Sequence, residues 1–384
     1  MNQMTDNQSE KKVEYLELIY DLIFVYIIGR NNSLLHYLDG GFVSGPMFLA
    51  YVLCTLAVIQ IWSFSTFYIN VYGRNSIRDH VFFCINMFLI YFMADGTNPQ
   101  WQETFYKYTI AWTLILVNLA VQHLIETRNH EEDPWVIPQL KQKAAIIFAE
   151  AGLVVIHIIV YTMTGVSIAY VPIIFGIAAM LISSRMGTLV PVDFAHLAER
   201  AMLYVVFTFG EMIIAISGYF SGELTLSTIY FAAMAFLIVV GLFLSYGTIY
   251  NKLLDKEMLT DGVEYMAIHI FLIFALNDLS GALEFMREDE VALLPKTLFL
   301  TCSFVIYFFF LFLTGKYAKQ HCRHMRRFVL AVSGVGVSFV ALMLLLRENM
   351  YVNIALTVLY VFGIFSMIYR QGKIAESAGE DIIG

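Results

Sequence analysis

Of the 384 residues, 59% are hydrophobic and only 14% are charged, with a mean hydropathy of +0.70. A soluble globular chain carries about 25% charged residues, so this composition excludes one and points to an integral membrane protein. The net charge of −8 resides mostly in loops, and no nucleic-acid partner is expected from it.

Residues 1–12 are polar and lack the short apolar core and small-residue site of a cleaved signal, so they read as a cytoplasmic tail and the first helix directs insertion. That helix, Glu14 to Gly29, is apolar but carries Glu14, Glu17 and Asp21 on one stripe. A charge within a bilayer costs roughly 2.5–3.5 kcal/mol on insertion scales, so these groups should face a protein interior or a wet cavity. Glu14 and Glu17 are near the helix end, whereas Asp21 sits about 10 Å in from that end.

Apolar runs of a length that spans about 30 Å recur near 14–36, 46–70, 77–95, 104–125, 142–163, 166–184, 199–220, 224–249, 263–285, 294–314, 328–346 and 350–369. They predict an all-α polytopic protein of about twelve transmembrane helices. Helix 4 carries a polar ladder of Asn118, Gln122 and Glu126, read as packing contacts or cavity lining. The stretch Arg128–Lys143 reads as a solvated turn. In helix 5, Glu150, His157 and Tyr161 share a face, so the acid and imidazole are candidates for a proton relay or for an interhelical hydrogen-bonding pair.

Helix 7 has Glu199-Arg200 and then Phe209-Gly-Glu211, with Arg200, Tyr204, Thr208, Glu211 and Gly218 on one face. Glu211 is either a structural carboxyl joining two helices or a functional intramembrane acid. Helix 9 adds His269, Asn277 and Asp278, with His269 and Asp278 on opposite sides. The basic loop that includes His321-Cys-Arg-His324 should face anionic lipid rather than bind metal. Cys54, Cys84 and Cys302 lie in apolar segments and Cys322 in that loop, so no disulfide framework is suggested. Phosphate-loop, His-Glu-x-x-His and Cys-x-x-Cys patterns are missing, and no cofactor or metal is expected.

With the N-terminus inside, 18 of the 23 Lys and Arg fall in cytoplasmic segments and 4 outside, with Lys107 inside helix 4. This bias predicts that both termini are cytoplasmic. Phe88-Leu-Ile-Tyr-Phe-Met-Ala-Asp95 is similar to Phe271-Leu-Ile-Phe-Ala-Leu-Asn-Asp278, 183 positions later. The same order relates Asp21 to Glu211 and Arg185 to Arg370. Two parallel six-helix repeats are therefore expected, at 13–186 and 187–370, followed by a cytoplasmic tail at 371–384.

Glu17-Leu-Ile-Tyr-Asp-Leu-Ile-Phe-Val-Tyr-Ile-Ile28 resembles the opening signature of the bacterial low temperature requirement A (LtrA) family. Glu199-Arg200 with Gly210-Glu211, Trp62 with Tyr68-x-Asn70, and His269 are similar to further patterns of that family. The chain departs from it at Ile19-Tyr20 and between Asn70 and Arg78. The resemblance implies a polytopic membrane protein and supplies no substrate.

These readings favour a multi-pass cell-membrane protein, most simply a secondary, proton-coupled transporter of a small solute or ion. Its substrate- or proton-binding candidates are Glu17, Asp21, Arg200, Tyr204, Thr208, Glu211, His269 and Asp278. An ion channel using the same residues, or a lipid-acting enzyme using Glu17 and Asp21, is the alternative. Membrane lipid is the expected partner, and a homo-oligomer is left open.

Overall fold

The computed structural model describes residues 13–97, 101–132, 135–186, 192–220, 223–286, 288–319 and 326–383. Among the described residues the regular structure is helical apart from a two-stranded antiparallel hairpin, β1 (Leu38–Asp39) and β2 (Phe42–Val43), and an isolated bridge between Leu254 and Ala318. The helices are α1 (Tyr15–Asn31), α2 (Gly45–Tyr72), α3 (Ile77–Asp95), α4 (Trp101–Glu126), α5 (Val136–Thr164), α6 (Tyr170–Met186), α7 (Phe194–Ser217), α8 (Leu226–Thr248), α9 (Val263–Phe285), α10 (Leu293–Leu313), α11 (Arg326–Leu345) and α12 (Met350–Ile383). Among the described residues nine of them, α2–α5, α7–α10 and α12, are long and apolar enough to cross a membrane. Helices α6 and α11 are apolar but shorter, and α1 carries Glu17, Asp21 and Arg30 within its 17 residues.

Local chemistry sets several ends. Ser76 and Asp79 form a reciprocal capping box at α3, and the Asp193 carboxylate accepts the His196 N–H at the start of α7. Thr225 caps α8 in the same way through Thr228 N–H. Gly165 ends α5 at φ +70°, a left-handed conformation that glycine adopts without a Cβ penalty.

Two predicted boundaries shift. Helix α5 begins at Val136, so half of the expected 128–143 turn is helix; Gln139, Lys141, Gln142 and Lys143 lower hydropathy without opposing helix formation. Helix α12 continues to Ile383, through the stretch expected to be a tail.

In its most apolar stretch α9 is 89% buried, against 33% for α3, α5 and α8. It is the central helix, packed against α2, α6, α7 and α10, while α3, α5 and α8 turn apolar faces outward. Outward Phe88, Ile156 and Phe236 suit a lipid environment, where a closed polar interior and an apolar exterior are both required. Further neighbours are α1 with α2, α3 and α7; α7 with α8; α3 with α4; α4 with α5; α5 with α6; α10 with α11; and α12 with α8 and α11.

Candidate binding site between α1 and α7

Helices α1 and α7 lie side by side and run in the same direction: Glu17 meets His196, Asp21 meets Arg200, and Gly29 meets Glu211. The stripe of acids on α1 thus faces the polar face of α7, because lipid solvates neither.

Arg200 is fully buried. Its Nη2 donates to Asp21 Oδ1 at 2.5 Å, and its Nε lies 3.3 Å from Glu17 Oε2. From α2, Trp62 Nε1 donates to the same Asp21 oxygen at 2.8 Å, and its ring packs on Tyr204 with centroids 4.4 Å apart.

His196 Nε2 is 3.4 Å from Glu17 Oε2. Its protonation follows from Asn70. The Asn70 carbonyl accepts the Asp193 N–H at 3.1 Å, which fixes the amide orientation, so the Asn70 nitrogen 3.1 Å from His196 Nδ1 is a donor. Nδ1 must then accept, and the imidazole is neutral with its hydrogen on the nitrogen facing Glu17. Among the described residues, the two carboxylates thus converge on one guanidinium in a dry interior.

Besides Arg200 Nε and His196 Nε2, which face Glu17 Oε2 beyond good hydrogen-bond geometry, three atoms of this cluster find no hydrogen-bond partner among the described residues: Asp21 Oδ2, Arg200 Nη1 and the Tyr204 hydroxyl. An unpaired buried polar group costs about 1–3 kcal/mol, so these atoms mark a place where a proton, water or solute would complete the network. Next to them, the Tyr20 hydroxyl lies 2.8 Å from Ser65 Oγ and accepts from Asn86, which in turn accepts from Asn118 of the helix 4 ladder.

The other candidates lie elsewhere. Thr208 donates to the Tyr204 carbonyl within its own helix. Glu211 is eleven residues beyond Arg200, about 16 Å along the axis, where its carboxyl group occupies the space left by Gly29; a Cβ there would stand 2.6 Å from Glu211 Cδ. Asp21 and Glu211 consequently do not touch. Glu150 and His157 do not pair: Glu150 accepts from Gln60 at 3.3 Å across Gly176, and His157 Nδ1 accepts the Ile168 N–H at 3.2 Å. His269 is held between the Tyr265 carbonyl and the Tyr246 hydroxyl. On the opposite side of α9, Asp278 accepts from Tyr51 of α2 at 2.8 Å.

A second ionic cluster sits where α2 and α4 end. Buried Glu126 pairs with Arg78, with Arg74 at 3.8 Å and with His130 at 3.3 Å, and accepts from Tyr68 at 3.4 Å. Its ladder position thus holds an anion clamped by the stretch in which the chain departs from the LtrA pattern. His196, Gln60 and Tyr51 went unrecognised in the sequence. His196 falls just before the apolar run of helix 7, and the other two are neutral residues among apolar ones. Arg185's side chain and the 321–325 segment, with Cys322, lie outside the described residues. Among the described residues no group of three His, Cys, Asp or Glu is placed to hold a metal.

No curated protein and no solved structure matches the chain. The family model of the bacterial low temperature requirement A protein (LtrA) matches residues 12–362, which takes in α1, α7 and the whole ion cluster between them. With most of its length matched, the chain belongs to the LtrA family.

Proposed function

We propose that the protein is a proton-coupled secondary transporter of a small solute or ion in the cell membrane. In this reading α1, α6 and α11 complete twelve spans, both termini are cytoplasmic, and residues 13–186 and 187–370 form parallel halves. The recurrence of helix neighbours supports the halves. The pairs α1–α2, α1–α3, α3–α4, α4–α5, α5–α6 and α2–α6 have counterparts six helices later, and α1 meets α7 at the junction. The strong Lys and Arg bias supports the orientation.

The observation that carries the reading is the buried junction itself: Asp21 of α1, paired with Arg200 of α7 and with its second oxygen unsatisfied among the described residues. A proton suits the open Asp21 oxygen, and the adjacent guanidinium disfavours a metal cation. A proton on Asp21 weakens its pair with Arg200 and leaves the guanidinium free for an anionic or polar solute. Deprotonation restores the pair and expels the solute. Because the pair bridges the two halves, its making and breaking couples to their relative movement. A lipid-acting enzyme with a divalent metal between Glu17 and Asp21 is less favoured, since Arg200 sits between those carboxylates.

The test is proton movement in proteoliposomes that hold a pH-sensitive dye, under a clamped membrane potential and with a panel of anionic and zwitterionic solutes outside. Solute-dependent proton flux that falls at least tenfold in Asp21→Asn is expected. Folded protein that moves neither protons nor any solute of the panel refutes the proposal. Rapid uncoupled ion current would instead favour a channel.

A further inference from the structure

A cavity separate from the ion cluster opens between α2, α5, α6 and the start of α9. Phe64, Ile147 and Met180 form its deep part, and Lys143, Ser183 and Asp261 its mouth. Its volume is about 70 Å³, roughly five times the 10–15 Å³ that a single water needs.

The arrangement along the membrane normal is ordered. Helices α2, α4 and α6 end at this level, and α5, α7 and α9 begin there, so the polar rim lies at one membrane face and the apolar depth points toward the bilayer centre. The Lys143 ammonium rests over the Tyr72 ring, 5.3 Å from its centroid. No carboxylate lies within 4.0 Å of it among the described residues. Asp261 uses one oxygen to accept the Val263 N–H at the start of α9, and that bond keeps its carboxylate at the rim. His123 donates Nδ1–H to the Leu119 carbonyl, which leaves only an acceptor nitrogen on its ring.

The rim therefore presents one cation and one anion that are not paired with each other, above an apolar slot. We propose that this is a binding site for a glycerophospholipid whose headgroup carries both a phosphate and a primary ammonium. Lys143 meets the phosphate, Asp261 meets the ammonium, and one acyl chain enters between Phe64 and Met180. A purely anionic headgroup meets repulsion from Asp261. A quaternary ammonium has no N–H to donate to it.

The full-length purified protein, delipidated in detergent, is tested by thermal stabilisation with phosphatidylethanolamine, phosphatidylglycerol or phosphatidylcholine of matched chains. Phosphatidylethanolamine should stabilise at concentrations at least fivefold lower than the other two. Lys143→Gln should abolish that preference, and Asp261→Asn, which retains the acceptor for the Val263 N–H, should bring phosphatidylglycerol level with phosphatidylethanolamine. Ile146→Trp, at a half-buried wall position, fills the slot and should remove the lipid effect even if Lys143→Gln proves too unstable to measure. Equal stabilisation by all three lipids, or an unchanged preference in Lys143→Gln or Ile146→Trp, overturns the proposal.

Discussion

Arg200→Gln probes the α1–α7 junction most directly. The substitution removes the guanidinium on which two buried carboxylates converge. At an effective dielectric of about 20, unit charges 3.3 Å apart, the Arg200–Glu17 separation, interact by roughly 5 kcal/mol before desolvation is counted. Breaking a buried pair from one side costs about 3–5 kcal/mol, because the remaining charge is stranded. Asp21→Asn should cost much less, about 1–2 kcal/mol. The amide oxygen still accepts from Trp62, and Glu17 still balances Arg200. The two changes together should cost less than their sum by about 2 kcal/mol, since the asparagine leaves one stranded carboxylate instead of two. Reversible unfolding in mixed detergent and SDS micelles measures all three. Losses that add within about 0.5 kcal/mol, or an Asp21→Asn protein as damaged as Arg200→Gln, would refute the coupling of Asp21 to Arg200.

Further outcomes follow from individual contacts. Gly29→Ala drives a Cβ into the Glu211 carboxyl group and should lower stability in the same unfolding assay, and Gly29→Ala/Glu211→Ala should recover most of the loss. Gly176→Ala puts a Cβ 2.8 Å from Glu150 Cδ and overlapping Gln60, so it should cost about 1–3 kcal/mol by separating a buried hydrogen-bonded pair, and the loss should shrink in Gln60→Ala. His36, in the turn after α1, is pushed up to about 10 by its hydrogen bonds to Glu284 and Glu288. A raised value in the folded state means that its contribution is complete below the unfolded value near 6.5 and is lost as pH rises through about 10. Melting temperature should therefore fall over that window in the wild type, and less steeply in His36→Gln. Cys322, outside the described residues, should resist an impermeant maleimide in intact cells; labelling there refutes the cytoplasmic orientation.

Helix positions were largely legible because hydropathy records burial in lipid directly; the runs at 77–95 and 263–285 match α3 and α9 end to end. The start of α5 was not, since its first turns are helical but polar and lie beyond the apolar core. In the site, Glu17, Asp21 and Arg200 were conspicuous because charges among apolar residues are costly. Their pairing was not, since periodicity assigns a face to a helix but names no partner. The same limit misdirected Glu150 and His157: seven positions apart on one face, they are each taken by a neutral group from another segment, Gln60 and the Ile168 N–H. Analogy between the halves links Glu211 to Asp21, whereas the parallel packing of α1 and α7 sets Asp21 against Arg200 and leaves Glu211 about three-quarters of the way along its helix.

The indole of Trp62 donates to Asp21 and lies against Tyr204, so a natural fluorophore is wired into the charged junction. Its emission shifts with the field of the carboxylate that it contacts. With Trp101, Trp112 and Trp135 replaced by phenylalanine, the remaining signal would follow the charge of Asp21 in real time. The charge state of this junction is then observable optically in an unlabelled protein.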